Sequence, residues 1–337
     1  MKRHRTVAIL AALGATLATS AVAQAKNATT LAVFGDLPYT PAQIANFDML
    51  PTAVNADPDI SRAIHLGDIK SGSTRCDDAT YLSVRATFDK FHDPLVFVPG
   101  DNEWTDCHRV NNGGYLPTER LAFERSVFFP TPGRTLGINS RRVSVQKTGD
   151  VVSFPEHVRW QQGDVTFVTL NVPGSNNDLV PWLGAWSTPF YKAVQADEVA
   201  TRTDAVLRWI DRAFAEARDE DSAGVAIAIQ ADLWDPLNPP SAYTGYTKIV
   251  QSIATHSRAF KKPVLLMNGD SHIFGVDHPL ADPTTALNVQ YGITSPVPNL
   301  TRMTVQGSTT LPSSWVKVTI DEDSPALFSF EEVPILF

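Results

Sequence analysis

The sequence is short of cysteine, of positive charge and of long apolar runs, and each shortage narrows what the chain does. Lys and Arg number 28 against 36 Asp and Glu, for a net charge of −8. That balance argues against sequence-independent nucleic-acid binding, which needs a basic face. After Val22 no stretch is apolar and long enough to span a bilayer. No repeat of solenoid length is present. No Gly-x-Ser-x-Gly elbow occurs, so nothing supports a serine acyl-transfer triad. No clean linker divides the chain, and Pro236–Pro240 reads as a loop. With 43% hydrophobic and 19% charged residues, the 337-residue chain can bury a full core.

The one long apolar run lies at the N-terminus. Lys2, Arg3 and Arg5 precede Val7–Val22, and Ala21-Val22-Ala23 and Ala23-Gln24-Ala25 both fit a cleavage site. Residues 1–25 are therefore expected to be a signal peptide rather than an anchor, leaving one domain over 26–337 in the periplasm or secreted. No cysteine stands at the cleavage site, which argues against a lipoprotein. Removing residues 1–25 takes the net charge from −8 to −11, because three basic residues and no acid are lost. Only Cys76 and Cys107 are present. In an exported chain two cysteines usually pair, and a bridge closing about 32 residues stabilises by about 3.5 kcal/mol in the chain-entropy model. The alternatives are two free thiols or a thiolate metal ligand.

Four apolar runs end in the same way. Leu31–Phe34 runs into Gly35-Asp36, Ala63–Leu66 into Gly67-Asp68, Leu95–Val98 into Pro99-Gly100-Asp101, and Val264–Met267 into Asn268-Gly269-Asp270. One Gly-Asp turn is commonplace. Four, each behind a candidate buried strand, imply carboxylates converging at the C-terminal edge of a sheet, where open α/β sheets bind ligands. A fifth run, Val225–Ile229, ends at Gln230-Ala231-Asp232, and His272 follows Asp270 by two residues.

The rest of the chain alternates. Helical spacing is predicted for Asp77–His92 (Tyr81, Val84, Phe88, Phe91), Thr118–Phe129, Thr203–Arg218 and Tyr246–Phe260. In Thr118–Phe129 the polar face is Glu119, Arg120, Glu124 and Arg125. Arg142–Gln146, Val151–Phe154, His157–Gln161 and Val165–Leu170 read as short strands, the last two joined by a Gln162-Gly163-Asp164 turn. Asn171–Asn177 is a polar loop. Trp182–Tyr191 reads as an aromatic cover over the sheet, with substrate stacking as the alternative. Trp315–Ile320 and Ala326–Phe330 form a terminal strand pair. This order predicts mixed sheets covered by helices.

A cluster of buried carboxylates does not stay ionised without cations. Hard oxygen donors with one imidazole suit Mn²⁺, Mg²⁺ or Ca²⁺ better than Zn²⁺. The order and spacing over residues 30–275 resemble the calcineurin-like metallophosphoesterases. Their pattern is Asp-x-His, Gly-Asp, Gly-Asn-His-Glu/Asp, a His after a strand, and Gly-His-x-His. Here the matching stretches are Asp36-Leu37-Pro38, Gly67-Asp68, Gly100-Asp101-Asn102-Glu103, Gln230 and Gly269-Asp270-Ser271-His272.

The resemblance implies a four-layer α/β/β/α sandwich and metal-dependent hydrolysis of small phosphomonoesters or phosphodiesters. It implies two divalent ions, one on Asp36, Asp68 and His272, the other on Asp68, Asp101, Gln230 (or Asp232) and Asp270. Asn102 stands at the family's catalytic His, and it donates a hydrogen bond but is no general acid near neutral pH. Pro38, Asp101, Gln230 and Asp270 also depart from the pattern. The second reading is a non-catalytic metal- or ligand-binding protein on the same fold. His65 reads as a packed strand residue, and Lys70, Arg75, His108 and Arg109 as solvated loop charges, with contact to a phosphate at the site mouth as the alternative.

Overall fold

A computed structural model describes residues 28–337; the expected signal peptide, residues 1–25, lies outside the described residues. The apolar runs named above become strands because each is flanked by turn residues and buried on both faces. The strands are β1 (Thr29–Phe34), β2 (Ile60–His65), β3 (Leu95–Phe97), β4 (Ser144–Thr148), β5 (Val151–Gln162), β6 (Val165–Thr169), β7 (Gly224–Ala228), β8 (Val264–Asn268), β9 (Gly275–Asp277), β10 (Leu300–Thr304), β11 (Ser314–Ile320) and β12 (Phe328–Pro334).

They form two mixed sheets, a five-stranded one ordered β12-β11-β1-β2-β3 and a seven-stranded one ordered β4-β5-β6-β7-β8-β10-β9. β1, β2 and β3 run parallel, as do β6, β7, β8 and β10. The sheets pack face to face through Val33, Ile64 and Val96 on one side and Phe167, Ala226 and Leu265 on the other. The outer face of the first sheet, with Phe34, Ala63 and Phe97, carries Tyr81, Val84 and Phe88 of the helix Asp78–Phe88. The outer face of the second, with Val225, Ile227 and Leu266, carries the helices Pro189–Asp219 and Thr247–Phe260 through Val206, Ile210, Phe214 and Ile253. The order helix, sheet, sheet, helix is the expected four-layer sandwich. None of the described helices is long and apolar enough to cross a membrane.

Three local expectations change. Val151–Gln162 is one strand, not two, because Pro155 falls where the β4–β5 register slips, and a bulge asks no ladder N–H of a proline. The Thr203–Arg218 helix starts at Pro189, capped by the Thr188 hydroxyl accepting from Tyr191 N–H. In the helix Pro117–Phe128, Arg120 and Glu124 are buried rather than solvated. Arg120 lies between Glu119 and Asp78 and over the Tyr115 and Phe123 rings, so its charge is met away from water.

Cys76 and Cys107 form a disulfide with Cα atoms 5.8 Å apart. It ties the loop after β2 to the segment after β3. A Cys76→Ser, Cys107→Ser variant is expected to unfold at lower urea with a somewhat larger m-value, because its unfolded chain is freer to expand, losing about 3.5 kcal/mol; an unchanged midpoint would show that the bridge carries no stability.

Candidate metal centre

The C-terminal ends of β1, β2, β3, β7 and β8 meet at one edge of the sandwich. There Asp36, Asp68 and Asp270 take left-handed backbone, with φ of 54°, 61° and 73°. Asp tolerates that conformation better than most non-glycine residues. The turn glycines are needed for a second reason. A Cβ on Gly100 would lie 2.2 Å from Asp68 Oδ1, and one on Gly269 would lie 2.2 Å from Asp36 Oδ2. The acids press against bare backbone.

Asp68, Asp101 and Asp270 each present an oxygen, all within 4.8 Å of one another. Asp68 is the hub. Its Oδ1 accepts from Asn102 N–H at 3.1 Å, and its Oδ2 from Asn102 Nδ2 at 2.8 Å, Tyr39 OH at 3.1 Å and Gln230 Nε2 at 3.2 Å. Glu103 Oε1 accepts from the backbone of both Asp68 and Gly100, at 2.9 and 2.6 Å, and so locks the β2 and β3 turns together. Asp36 is fully buried. It accepts from Asp270 N–H at 3.0 and 3.2 Å, faces His272 Nε2 at 3.5 Å, and lies within hydrogen-bonding reach of Asp68.

Gln230, expected as a ligand, uses its carbonyl oxygen to accept from Gly174 N–H at 2.6 Å and turns its amide N–H to Asp68. Asp232, the alternative, is ion-paired to Arg302 and accepts from Trp234 N–H at 2.8 Å. His65 packs among Phe34, Phe88 and Phe97. Of the four loop charges, Lys70 and His108 are buried, Arg75 pairs with Asp77 in the open, and Arg109 pairs with Asp106 beside Ser175. Trp182 is buried, while Phe190 is 68% exposed, so the aromatic cover is incomplete.

Several groups of the site carry no sequence signal that singled them out. Ser175 is brought in by a left-handed turn: Ser175, Asn176, Asn177 and Asp178 have φ between 51° and 63°. Arg202, fully buried, holds that turn by donating to the Asn171 carbonyl at 3.3 Å, the Asn177 carbonyl at 3.1 Å and the Asn177 side chain. Ser175 Oγ then lies 2.9 Å from Asp101 Oδ2 and 2.8 Å from Asp106 Oδ1. The run of Asn was the available sign, since Asn is enriched in this conformation.

The electrostatics follow from burial. Asp36, Asp68 and Asp270 are pushed well above the usual carboxylate range, first by burial and then by neighbouring acids, with the Asp270 N–H partly offsetting this at Asp36. Burial raises Glu103 and Asp106 to about 7. It lowers the Lys70 ammonium to about 8 although Glu103 and Asp68 favour its charge. One buried ammonium offsets only one of these carboxylates, and a divalent cation among Asp68, Asp101 and Asp270 would offset two more. The donor set therefore fits a hard divalent ion. Beside Asp270 a cleft of about 540 Å³ opens, lined by Ser175, Asp232, Asp235, Tyr243 and Tyr246.

Fold and site together define an α/β sandwich with a carboxylate-rich centre at the edge shared by its two sheets. No family model matches the chain, and no curated protein does. Among solved structures it is similar to the purple acid phosphatase PPD1 from yellow lupin (Lupinus luteus) seeds, with a TM-score of 0.48, 12% identity, and coverage of 92% of this chain and 52% of that one. The chain thus spans about half the length of the lupin phosphatase. It is also similar to GAP50, the anchor in the inner membrane complex of Plasmodium, with a TM-score of 0.39, 10% identity, and coverage of 92% and 90%. Neither likeness carries the functional argument, which rests on the residues of the site.

Proposed function

We propose that this chain is an exported metal-dependent phosphoesterase of the calcineurin-like type, folded as one domain over residues 26–337 and acting in the periplasm or outside the cell. The observation that carries the reading is the meeting of Asp68, Asp101 and Asp270 within 4.8 Å at three strand ends. Those residues would hold Mn²⁺, Mg²⁺ or Ca²⁺ in preference to Zn²⁺, because all three donors are hard oxygens. When bound, such an ion polarises a phosphoryl oxygen and offsets its charge.

The chain's own residues do the remaining work. Asn102, Tyr39 and Gln230 fix the Asp68 carboxylate by donating to it. Glu103 fixes the two turns that carry Asp68 and Asp101. Asn102 stands where the family has a proton donor, and its amide donates instead to Asp68 Oδ2 and Tyr39 OH, so substrates with a good leaving group depend least on the missing acid.

The cleft beside Asp270 is lined by Asp235 and Asp270, by Asp232, whose charge Arg302 offsets, and by no Lys or Arg. A dianionic phosphomonoester meets more repulsion there than a singly charged diester. With Mn²⁺, kcat/KM for an aryl phosphodiester is expected to exceed that for the matching monoester by at least about tenfold, or roughly 1.4 kcal/mol. Steady-state assays with Mn²⁺, Mg²⁺, Ca²⁺ and Zn²⁺ check this, and a monoester preference would contradict the cleft's role.

The second reading is a metal-binding protein without turnover. Asn102 in place of an imidazole favours it. Metal bound by the intact chain with no hydrolysis of either ester selects that reading.

A further inference from the structure

We infer that the centre holds one divalent cation per chain, on Asp68, Asp101 and Asp270, and that the second position of a dinuclear pair is closed by the chain's own side chains. This rests on the reading that the acidic cluster binds metal.

Three oxygens sharing an ion at about 2.0–2.6 Å lie within about 5 Å of one another. Asp68, Asp101 and Asp270 meet that condition. The other position would need Asp36, His272 and a nitrogen from residue 38. Residue 38 is Pro and has no donor to give. Asp36 is turned toward the turn after β8: both its oxygens accept from Asp270 N–H, Gly269 lies tight against its Oδ2, and among the described residues Asp36 and His272 find no third His, Cys or carboxylate within 4.8 Å to complete a site. Its job is to place Asp270.

His272 is committed as well. Its Nδ1 accepts from Thr309 N–H at 3.4 Å, which leaves the proton of the neutral ring on Nε2. Nε2 faces Asp36 Oδ1 at 3.5 Å, a contact without hydrogen-bond geometry. Tyr39 then bridges the two sides. Its hydroxyl donates to Asp68 Oδ2 and accepts from Asn102 Nδ2 at 3.0 Å, while its ring meets His272 edge-on at 5.2 Å between centroids. What would be the second ion's pocket is a closed set of Asp36, Tyr39 and His272 contacts.

The test is Mn²⁺ titration of the chelator-stripped mature chain, read by native mass spectrometry for the count and by electron paramagnetic resonance for coupling. The expected result is one Mn²⁺ per chain with the spectrum of an isolated ion. His272→Ala is expected to leave the count at one and Kd within about threefold, whereas Asp101→Ala raises Kd by about a hundredfold. Two ions with an exchange-coupled spectrum would overturn the inference, as would a lower count in His272→Ala. If that variant does not fold, the count on the unaltered chain decides alone. No Mn²⁺ bound at all is a different outcome and overturns the metal-site reading itself.

Discussion

Asp68→Ala is expected to lower kcat/KM for an aryl phosphodiester by about a hundred- to a thousandfold, the scale seen when a group that sets transition-state electrostatics is removed. The reason is geometric. Asp68 is one of the three acids that meet within 4.8 Å. It also gathers Asn102, Tyr39 and Gln230 from three separate segments through hydrogen bonds of 2.8–3.2 Å. Its loss removes a ligand and leaves those donors facing nothing. Asp68→Asn separates charge from shape. Asn tolerates the left-handed backbone that Asp68 adopts, so the turn should survive while the negative charge is gone. Initial rates on both variants check this, with thermal unfolding alongside to show that the fold persists. Activity retained in either variant would mean that hydrolysis occurs elsewhere.

In chelator, the site acids are expected to draw stability down as pH rises from about 4 to about 7, opposed by His65, His108, His157 and His272, whose burial-depressed values add stability over the same range, and Mn²⁺ is expected to restore stability most at the upper end. The sign follows from the direction of the shifts. Asp36, Asp68 and Asp270 have folded values well above the ordinary 3.8, and Glu103 and Asp106 stand at about 7. Below about 4 these groups are protonated in both states, and their full contribution is present. As pH rises, the unfolded chain releases its protons first. At these acids the native state then holds more protons than the unfolded one, so their contribution falls with pH until the folded groups ionise. Glu156 is shifted the other way, to about 2 by Arg125 against the effect of burial, and its contribution is lost only in stronger acid. A cation that binds only the folded chain adds about 2.7 kcal/mol at a hundredfold excess over Kd. It competes with protons for the same oxygens, so its gain grows with pH. Urea midpoints at several pH values, with and without Mn²⁺, measure both slopes. Asp68→Asn removes one of these acids and leaves the histidines in place, so a slope between pH 4 and 7 that does not become more positive in that variant would contradict the convergence of these acids.

The layers and the acids were legible in the sequence because both depend on local pattern. Runs such as Leu31–Phe34 and Val264–Met267 show buried strands directly, and a Gly-Asp pair behind each shows where the chain leaves the sheet. The disulfide partners were legible by count. Less local facts were hidden. Lys70 looks like a loop cation, yet it is buried beside Glu103 and Asp68 because the β2 and β3 turns close over it. Arg120 and Glu124 look solvated at helical spacing, yet both are buried, Arg120 against Asp78 and the Tyr115 ring. The direction of the Gln230 amide depends on Gly174 N–H, a partner 56 residues away. Ser175 reaches Asp101 only through consecutive left-handed residues pinned by Arg202; the Asn run hints at the turn, but not at which acid it brings Ser175 to.

The most direct test is one titration with two readouts. Mn²⁺ is added stepwise to the chelator-stripped chain, and bound ion and aryl phosphodiester hydrolysis are measured on the same samples. The expected result is no turnover without ion and a rate that rises in step with occupancy, reaching its plateau at one ion per chain. Turnover that persists in chelator, or full occupancy with no turnover, would contradict metal-dependent hydrolysis at Asp68, Asp101 and Asp270.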